Sequence, residues 1–340
     1  MKKQLFNPPF LPIRRNKKFY NYDKEDSFET PEWLIPSIKM YFNSYKKRKK
    51  DRPDLSAWIE PYQGCERSKE PIITWMGHAT MLIQMGNLNI MTDPILESPS
   101  FLYKRVLPFG AEPHELPAID VVLISHNHYD HMDASTLKHL FKEHNPLFLV
   151  PEGNKSWFTR RGMERVEEFN WWQSYEHQGS TFSFVPAWHW SQRGIFDHNR
   201  TLWGGWVIET KEDSVFFAGD TAYSHLYFST IGQMFPNLEV AIMPIGPCDP
   251  DELMRRSHMN AQEAGQAFLD CNARYFVPMH WGTFNFGVDF FHTPIDRITQ
   301  WWQANQELLP PQSLVLSKLG QQFHLAHHRT LCLDMPDQNR

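Results

Sequence analysis

The sequence predicts an α/β protein in which β-sheets form a layered sandwich with helices on its outer faces. Two observations favour this class: short β-rich runs follow one another in both halves of the chain, and helical patterns stand between them. The chain has 340 residues, of which 41% are hydrophobic, which is enough for a sizeable buried core. Its four cysteines lie far apart, so they indicate neither a disulfide framework nor a cysteine-rich zinc site, and we expect a reducing compartment.

The composition divides the chain into three parts. Residues 1–70 are rich in proline, charge and aromatic side chains and predict an extended arm that wraps a core or meets a partner. Residues 71–325 carry the strand and helix patterns of the main domain, and residues 326–340 form a C-terminal tail. We expect a cytoplasmic protein or one at the membrane surface, because no secretory signal and no apolar run of membrane-spanning length is present.

Positive charge is concentrated in the arm. Residues 1–53 hold 14 Lys and Arg against 6 Asp and Glu, although the whole chain has a net charge of -5. A basic run at 46–50 follows an aromatic stretch, a combination that fits two interpretations equally: peripheral contact with an anionic membrane, or a solvated helix end. No nucleic acid is expected as a partner, since the acidic remainder would repel phosphate backbones. A homodimer is a further expectation.

The first half of the main domain predicts a meander of strands, then a buried strand and a helix. The expected elements are strands at 72–75, 81–85, 88–91 and 121–125 and a helix over 134–144. The second half shows the same kind of succession of strand and helix patterns. The expected elements there are strands at 181–185, 202–208, 214–218, 240–244, 275–278 and 313–323, and helices near 154–162, 224–235, 260–271 and 294–304.

The strongest functional signal is the run HNHYDH, which directly follows the apolar strand at 121–125. It offers four potential ligands, namely His126, His128, Asp130 and His131. Imidazole nitrogen and carboxylate oxygen are the ligands that suit zinc and its first-row neighbours. A surface loop that is rich in histidine by chance is the alternative, but the position after a buried strand favours a metal site.

Three further candidate ligands stand at the ends of other apolar strands. They are His189, Asp220 and His280. Taken singly, each is more often a structural residue, but together they provide enough ligands for two ions. His78 lies in a turn between two strands; a position near the metals is one interpretation, and a hydrogen-bonded structural histidine is the favoured one.

The constellation resembles the metallo-β-lactamase superfamily, whose His-x-His-x-Asp-His signature is intact here. The resemblance covers roughly residues 70–325 and implies an αββα four-layer sandwich. It also implies two Zn²⁺ per chain, with other divalent metals possible: His126, His128 and His189 would hold one ion and Asp130, His131 and His280 the second. Asp220 would bridge them.

Within the superfamily, the phrases WMGHAT (75–80), TDPI (92–95), LISHNHYDH (123–131), FAGDT (217–221) and HWGTF (280–284) resemble the N-acyl-phosphatidylethanolamine-hydrolysing phospholipase D family. The resemblance implies a phospholipid substrate, and it places His258 near that substrate. Asp130 and His258 are the predicted catalytic residues. The match is poorer from Glu97 to His114, where a substrate-contacting loop should lie.

The expected reaction is phosphodiester hydrolysis by water that zinc makes reactive at neutral pH, and it releases N-acylethanolamine and phosphatidic acid. Two alternatives stay open. One is a metal-dependent lactonase or phosphodiesterase that acts on a soluble phosphorylated substrate. The other is a non-catalytic metal-binding protein at the membrane.

Overall fold

The computed structural model describes residues 2–4, 7–22, 51, 53–64, 67–100 and 103–327. Sixteen strands occur among these residues: β1 (Lys2–Gln4), β2 (Ile13–Arg15), β3 (Lys18–Tyr20), β4 (Ile72–Gly77), β5 (Thr80–Met85), β6 (Leu88–Thr92), β7 (Val121–Leu123), β8 (Leu147–Pro151), β9 (Val166–Phe169), β10 (Gln173–His177), β11 (Ser180–Val185), β12 (Gly205–Glu209), β13 (Ser214–Phe217), β14 (Val240–Pro244), β15 (Tyr275–Met279) and β16 (Gln322–His324).

The helices lie between these strands. The α-helices of the described residues are α1 (Ala134–His144), α2 (Lys155–Thr159), α3 (His225–Met234), α4 (Asp251–Met254), α5 (Ala261–Cys271) and α6 (Thr293–Ala304). Short 3-10 helices occupy Leu55–Trp58, Pro113–Glu115 and Gln306–Leu308. No helix in these ranges is long and apolar enough to cross a membrane.

Two seven-stranded sheets form the body of the protein. The first has the order β16-β4-β5-β6-β7-β8-β9 and the second β1-β10-β11-β12-β13-β14-β15. In the first sheet β6 to β9 run parallel, and in the second β13 to β15 do so, whereas the other neighbours are antiparallel. A parallel strand needs a crossover connection, which places helices on the sheet faces.

Side chains that alternate along each strand build separate cores on the two faces of the first sheet. Met81 and Ile83 of β5 join the large core that the second sheet also lines, whereas Leu82 joins Leu137 of α1 in a smaller core. On the outer face of the second sheet, Phe268 of α5 packs against Trp302 of α6 with ring centroids 5.2 Å apart. The layers therefore run helix, sheet, sheet, helix, which confirms the αββα sandwich.

The first described segments of the arm, β1 and the residues around Phe10, pack on the second sheet. β1 pairs with β10 at the sheet edge. Phe10 is buried, its ring stacks on Tyr227 of α3 at 5.0 Å, and its carbonyl oxygen accepts a hydrogen bond from Trp172 Nε1 at 2.7 Å. The basic run at 46–50 and the aromatic stretch before it lie outside the described residues.

Several expected elements differ from those observed. Strands β8, β9 and β10 were not predicted, and the strand expected at 313–323 is reduced to β16, with a single parallel bridge from Leu314 to Phe276 before it. At Gly320 the chain is left-handed (φ 82°), and a Cβ there would lie 2.3 Å from the carbonyl oxygen of Glu60. The backbone therefore turns at Gly320 before β16 can pair with β4.

Candidate metal centre

The predicted ligands meet where strands end. His126 follows β7 in the first sheet, whereas Asp220 follows β13 and His280 directly follows β15 in the second. The carboxyl ends of parallel strands are the usual place for a site in an open sheet. Gly219 makes the approach of the two sheets possible, because it is left-handed (φ 63°) and a Cβ there would lie 2.6 Å from Ser125 Cβ.

The first group of ligand atoms comes from three histidines. His126 Nε2 lies 2.8 Å from His128 Nδ1, which in turn lies 3.4 Å from His189 Nε2. The three nitrogens lie within 4.8 Å of one another and could hold a metal ion.

A second group lies beside the first. Asp130, His131, His280 and also His78 offer ligand atoms within 4.8 Å of one another. His131 Nε2 stands 3.2 Å from Asp130 Oδ2. This group contains the three residues that the resemblance implies for a second ion.

Asp220 stands between the two groups. Its Oδ2 lies 3.2 Å from His131 Nε2, 3.9 Å from His189 Nε2 and 4.0 Å from His126 Nε2. Its Oδ1 lies 3.2 Å from His280 Nε2. One carboxylate therefore reaches ligand atoms of both groups.

The outward nitrogens of four histidines are fixed by protein groups. These pairs are His126 Nδ1 with Ser125 Oγ, His131 Nδ1 with Asp93 Oδ2, His189 Nδ1 with the carbonyl of Ser257 and His280 Nδ1 with the carbonyl of Gly246, each at 2.8 Å. A carbonyl or carboxylate partner requires a proton on Nδ1, so Nε2 is the nitrogen that faces the site and that a metal would bind. Such outer-shell bonds are typical of metal-ligating histidines.

Several inward atoms have no hydrogen-bond partner. His131 Nε2, His280 Nε2 and Asp220 Oδ1 are buried, and although they approach one another or a carboxylate to 3.2 Å, they make no hydrogen bond among the described residues. Unpaired buried polar atoms are rare in folded proteins and need an explanation such as a bound ion. Nitrogen and anionic oxygen atoms are also the right donor types, so these residues fit a metal centre.

Burial and charge set the ionisation of the site. Burial lowers the pKa of His128 to about 4 and that of His189 to about 3, so both imidazoles are neutral, as metal ligands must be. Burial opposes a proton on His131 as well, but the carboxylates of Asp220 and Asp130 raise its pKa well above the ordinary value. Burial would raise the pKa of Asp220, yet His131 and His280 hold it well below the ordinary value. The Asp220 carboxylate is therefore ionised and carries the negative charge that a metal ligand needs.

His258 lies at the rim of the site. Its Nδ1 is 3.7 Å from Asp220 Oδ2, and its ring stacks 5.5 Å from that of His280. The side chain is 19% exposed, against 2% for Asp220. Burial lowers its pKa to about 3. His258 thus joins the predicted ligands in space, and its role toward a substrate stays a prediction.

Two residues beside the candidate ligands were not predicted to be metal ligands or catalytic residues. Asp93, directly after β6, is fully buried and accepts hydrogen bonds from His131 and from the backbone N–H of Ser125. His78 is buried and hydrogen-bonded, as expected of a structural histidine, but its partner is Asp130 Oδ2 at 2.8 Å from Nε2. The strand-end position that singled out Asp220 could also have singled out Asp93.

Three residues of the centre have left-handed backbone. They are His78 (φ 57°), Asp93 (φ 34°) and His280 (φ 60°). Such conformations are costly for residues other than glycine and persist where the surroundings enforce them, often at functional sites. Here the backbone N–H of His280 donates to the carbonyl of His78 at 3.1 Å, and the N–H of His78 donates to Thr283 Oγ1 at 2.7 Å.

A cavity of about 340 Å³ opens on the centre at His128 and Asp130. Aromatic side chains form much of its wall, namely Tyr103, Tyr129, Trp190 and Phe286. Tyr103 belongs to the segment from Glu97 to His114, in which the sequence placed a substrate-contacting loop.

Arg105 organises that segment. Its guanidinium donates to the carbonyls of Ile95 and Pro108 at 2.8 and 3.1 Å and lies over the Phe284 ring at 5.3 Å. Burial lowers the pKa of Arg105 to about 10. A half-buried cation that binds backbone carbonyls therefore shapes this side of the cavity.

Comparison with known proteins identifies the class. Residues 88–281, more than half of the chain, match the beta-lactamase superfamily domain. The protein therefore belongs to the metal-dependent hydrolases of the metallo-β-lactamase superfamily.

Two relatives carry the same enzyme name. The chain is 33% identical over 251 residues to N-acyl-phosphatidylethanolamine-hydrolyzing phospholipase D 1 of Caenorhabditis elegans, with 69% of this chain and 70% of that protein covered. It is 32% identical over 246 residues to the Saccharomyces cerevisiae phospholipase D of the same description, named as mitochondrial, and covers 68% of this chain and 52% of the yeast protein. The chain thus spans only about half the length of the yeast relative.

Solved structures agree on the fold. Igni18, a metallo hydrolase from Ignicoccus hospitalis, is 20% identical with a TM-score of 0.56, and the match covers 74% of this chain and 97% of Igni18. At this identity the likeness supports the fold alone.

Proposed function

We propose that the protein is a phosphodiesterase of the phospholipase D type that cleaves N-acyl-phosphatidylethanolamine to N-acylethanolamine and phosphatidic acid. The observation that carries this proposal is the position of Asp220, which reaches both groups of ligand atoms beside an aromatic-lined cavity. The names of the nematode and yeast relatives support the choice of substrate.

The proposed centre holds two zinc ions. His126, His128 and His189 would bind one, Asp130, His131 and His280 the other, and Asp220 both. When bound, such a pair supplies Lewis-acid chemistry for phosphodiester hydrolysis.

The chain's own residues complete the reaction. His258, at the rim, would orient the phosphate or help the leaving oxygen by a hydrogen bond, because burial lowers its pKa to about 3 and keeps the imidazole neutral. Asp130, held by His78 Nε2 at 2.8 Å, faces the cavity and keeps a fixed orientation toward the ligands. The aromatic wall offers apolar surface to the part of the substrate that enters the cavity.

A small soluble substrate is the second candidate, and the size of the cavity favours it. About 340 Å³ lies at the lower end of the range for small-molecule pockets, roughly 300–1,000 Å³. A two-chain lipid exceeds this volume, so its acyl chains must extend beyond the cavity toward the surface. A phosphorylated lactone or a soluble phosphodiester would fit inside.

The test incubates the metal-loaded protein with N-acyl-phosphatidylethanolamine dispersed in detergent and, separately, with a phosphorylated lactone, and follows products by mass spectrometry. We expect release of N-acylethanolamine that a chelator stops and that Asp220→Asn lowers by at least about 100-fold. Asp213→Asn, at a buried carboxylate outside the site, is the matched control and should keep its turnover. Metal-dependent lactone turnover without lipid cleavage would decide for the small substrate.

A further inference from the structure

Two adjacent apolar side chains project from the surface beside the candidate site. Ile195 is 83% exposed and Phe196 is 86% exposed, more than any other large hydrophobic side chain of the described residues. Single exposed apolar residues are ordinary, but two consecutive ones with this exposure leave a contiguous apolar surface in water, which is unfavourable. They form the tip of a segment that we call the apolar loop, residues 192–198.

Hydrogen bonds hold the apolar loop in a defined shape. The Asp197 carboxylate accepts from the backbone N–H of Arg193 at 3.1 Å and of Gly194 at 2.7 Å. The backbone N–H of Asn199 donates to the carbonyl of Ser191 at 2.7 Å and closes the base of the loop. The tip is therefore presented by an ordered turn.

The loop is joined to the mouth of the cavity. Gln192, its first residue, lines the cavity. Arg193 donates to the carbonyl of Met132 at 2.7 Å, and its guanidinium lies 4.2 Å from the ring centroid of Tyr129, which also lines the cavity and is 53% exposed. Whatever the tip touches therefore lies next to the entrance of the site.

Positive charge lies beside the apolar loop near its start, at Arg193. Trp157 is stacked against two guanidinium groups, Arg161 at 3.9 Å and Arg193 at 5.1 Å from its ring. Arg160 and Arg161 are exposed, donate to the backbone carbonyls of Ser156 and Trp157, and form no salt bridge with an acidic side chain in the described ranges. Apolar side chains beside exposed arginines suit a lipid bilayer, whose interior is apolar and whose surface is anionic.

We propose that the apolar loop is the surface by which this protein contacts an anionic phospholipid bilayer. Ile195 and Phe196 enter the acyl boundary, while Arg160 and Arg161 meet lipid phosphates. The benefit of this contact rests on the proposed function, since a lipid could then pass from the bilayer into the cavity with its acyl chains outside it.

The test measures binding to vesicles that contain no N-acyl-phosphatidylethanolamine, so that it does not depend on turnover. Co-sedimentation is compared for vesicles of phosphatidylcholine alone and for vesicles that also contain phosphatidylserine. The double variant Ile195→Ser/Phe196→Ser should lower the partition coefficient by roughly tenfold or more per side chain, because each replaces an apolar group that leaves water. Arg160→Gln/Arg161→Gln should remove most of the preference for phosphatidylserine.

Two controls separate this surface from others. Leu308→Ser changes a side chain that is 66% exposed and does not line the cavity, and it should bind vesicles like the unmodified protein. Replacing the basic run at 46–50 by glutamine tests the arm independently of the loop.

Vesicle binding that is unchanged in the loop double variant overturns the proposal, as does the absence of any binding by the unmodified protein. A change of oligomeric state in that variant with unchanged vesicle binding assigns the loop to a second copy of the chain and also overturns it. If the loop double variant loses vesicle binding and the unmodified protein cleaves no N-acyl-phosphatidylethanolamine, the membrane-contacting surface is supported and only the proposed function is rejected.

Discussion

The replacement Asp93→Asn tests whether the hydrogen bonds behind the candidate ligands prepare them for metal. Asp93 Oδ2 accepts from His131 Nδ1 at 2.8 Å, and Oδ1 accepts from the backbone N–H of Ser125 at 2.7 Å. Asparagine has nearly the same shape but offers one acceptor and one donor group. If its oxygen keeps the bond to Ser125, its amide N–H groups face His131.

That arrangement moves the proton of His131 from Nδ1 to Nε2. Nε2 is the atom that lies 3.2 Å from both Asp130 Oδ2 and Asp220 Oδ2, so it loses the lone pair that a metal needs. Outer-shell replacements of this kind cost roughly 10- to 100-fold in metal affinity, or about 1.4 to 2.7 kcal/mol. We expect a loss in this range for the ion that His131 would bind.

The assay titrates the metal-free protein with zinc in a competing chelator and measures bound metal together with the rise of the unfolding temperature. Asp213→Asn is the matched control, since it removes a buried carboxylate outside the site and should leave zinc affinity unchanged. If Asp93→Asn binds zinc with unchanged affinity at every site, the tautomer argument is wrong.

Three further replacements test other parts of the structure. His78→Ala removes the partner that orients Asp130 and should weaken zinc binding about tenfold in the same titration, and full affinity would contradict the positioning role. Arg105→Met leaves backbone carbonyls that include those of Ile95 and Pro108 without their donor, and should lower the free energy of unfolding in urea by about 3 kcal/mol; an unchanged midpoint and slope would refute this. Burial, with the negative charge of Asp249 alongside, raises the pKa of Asp289 to about 7, so the folded protein binds more protons than the unfolded chain between about pH 4 and 7. Its contribution to stability is therefore complete below the pKa of the unfolded chain and is lost as pH rises toward 7, and Asp289→Asn should flatten that fall in urea titrations at several pH values.

The fold class could be predicted from the sequence because buried strands and helices show a periodic pattern of apolar residues. Strands β5 and β6 and helix α1 are buried on one or both faces, and their apolar periodicity placed them nearly at their observed bounds. β9 and β10 were missed because Glu167, Glu168 and Glu176 interrupt the apolar pattern near the sheet edges. β8 is continuously apolar and fully buried, so its residue pattern alone is sufficient to predict a strand.

The candidate ligands were accessible from sequence for a different reason: metal chemistry restricts the residue types. Only a few side chains offer imidazole nitrogen or carboxylate oxygen, so a strand end that carries one stands out. The partners of His189 and His280 were not accessible in this way, because the carbonyls of Ser257 and Gly246 could belong to any residue. Tertiary structure alone brings those carbonyls to the histidines.

The same distinction explains why substrate choice is harder to predict than chemistry. The cavity wall depends on the segment around Tyr103, and Arg105 holds that segment through backbone carbonyls, including those of Leu107 and Pro108. Because these bonds do not depend on the side chains at the accepting positions, such a segment can change its residues, and with them the cavity wall, while the arginine keeps the backbone in place. Specificity within this superfamily can therefore diverge at the cavity without disturbing the metal centre, and the loop around Tyr103 is the place to exchange residues between relatives when lipid and small-molecule activity are to be separated.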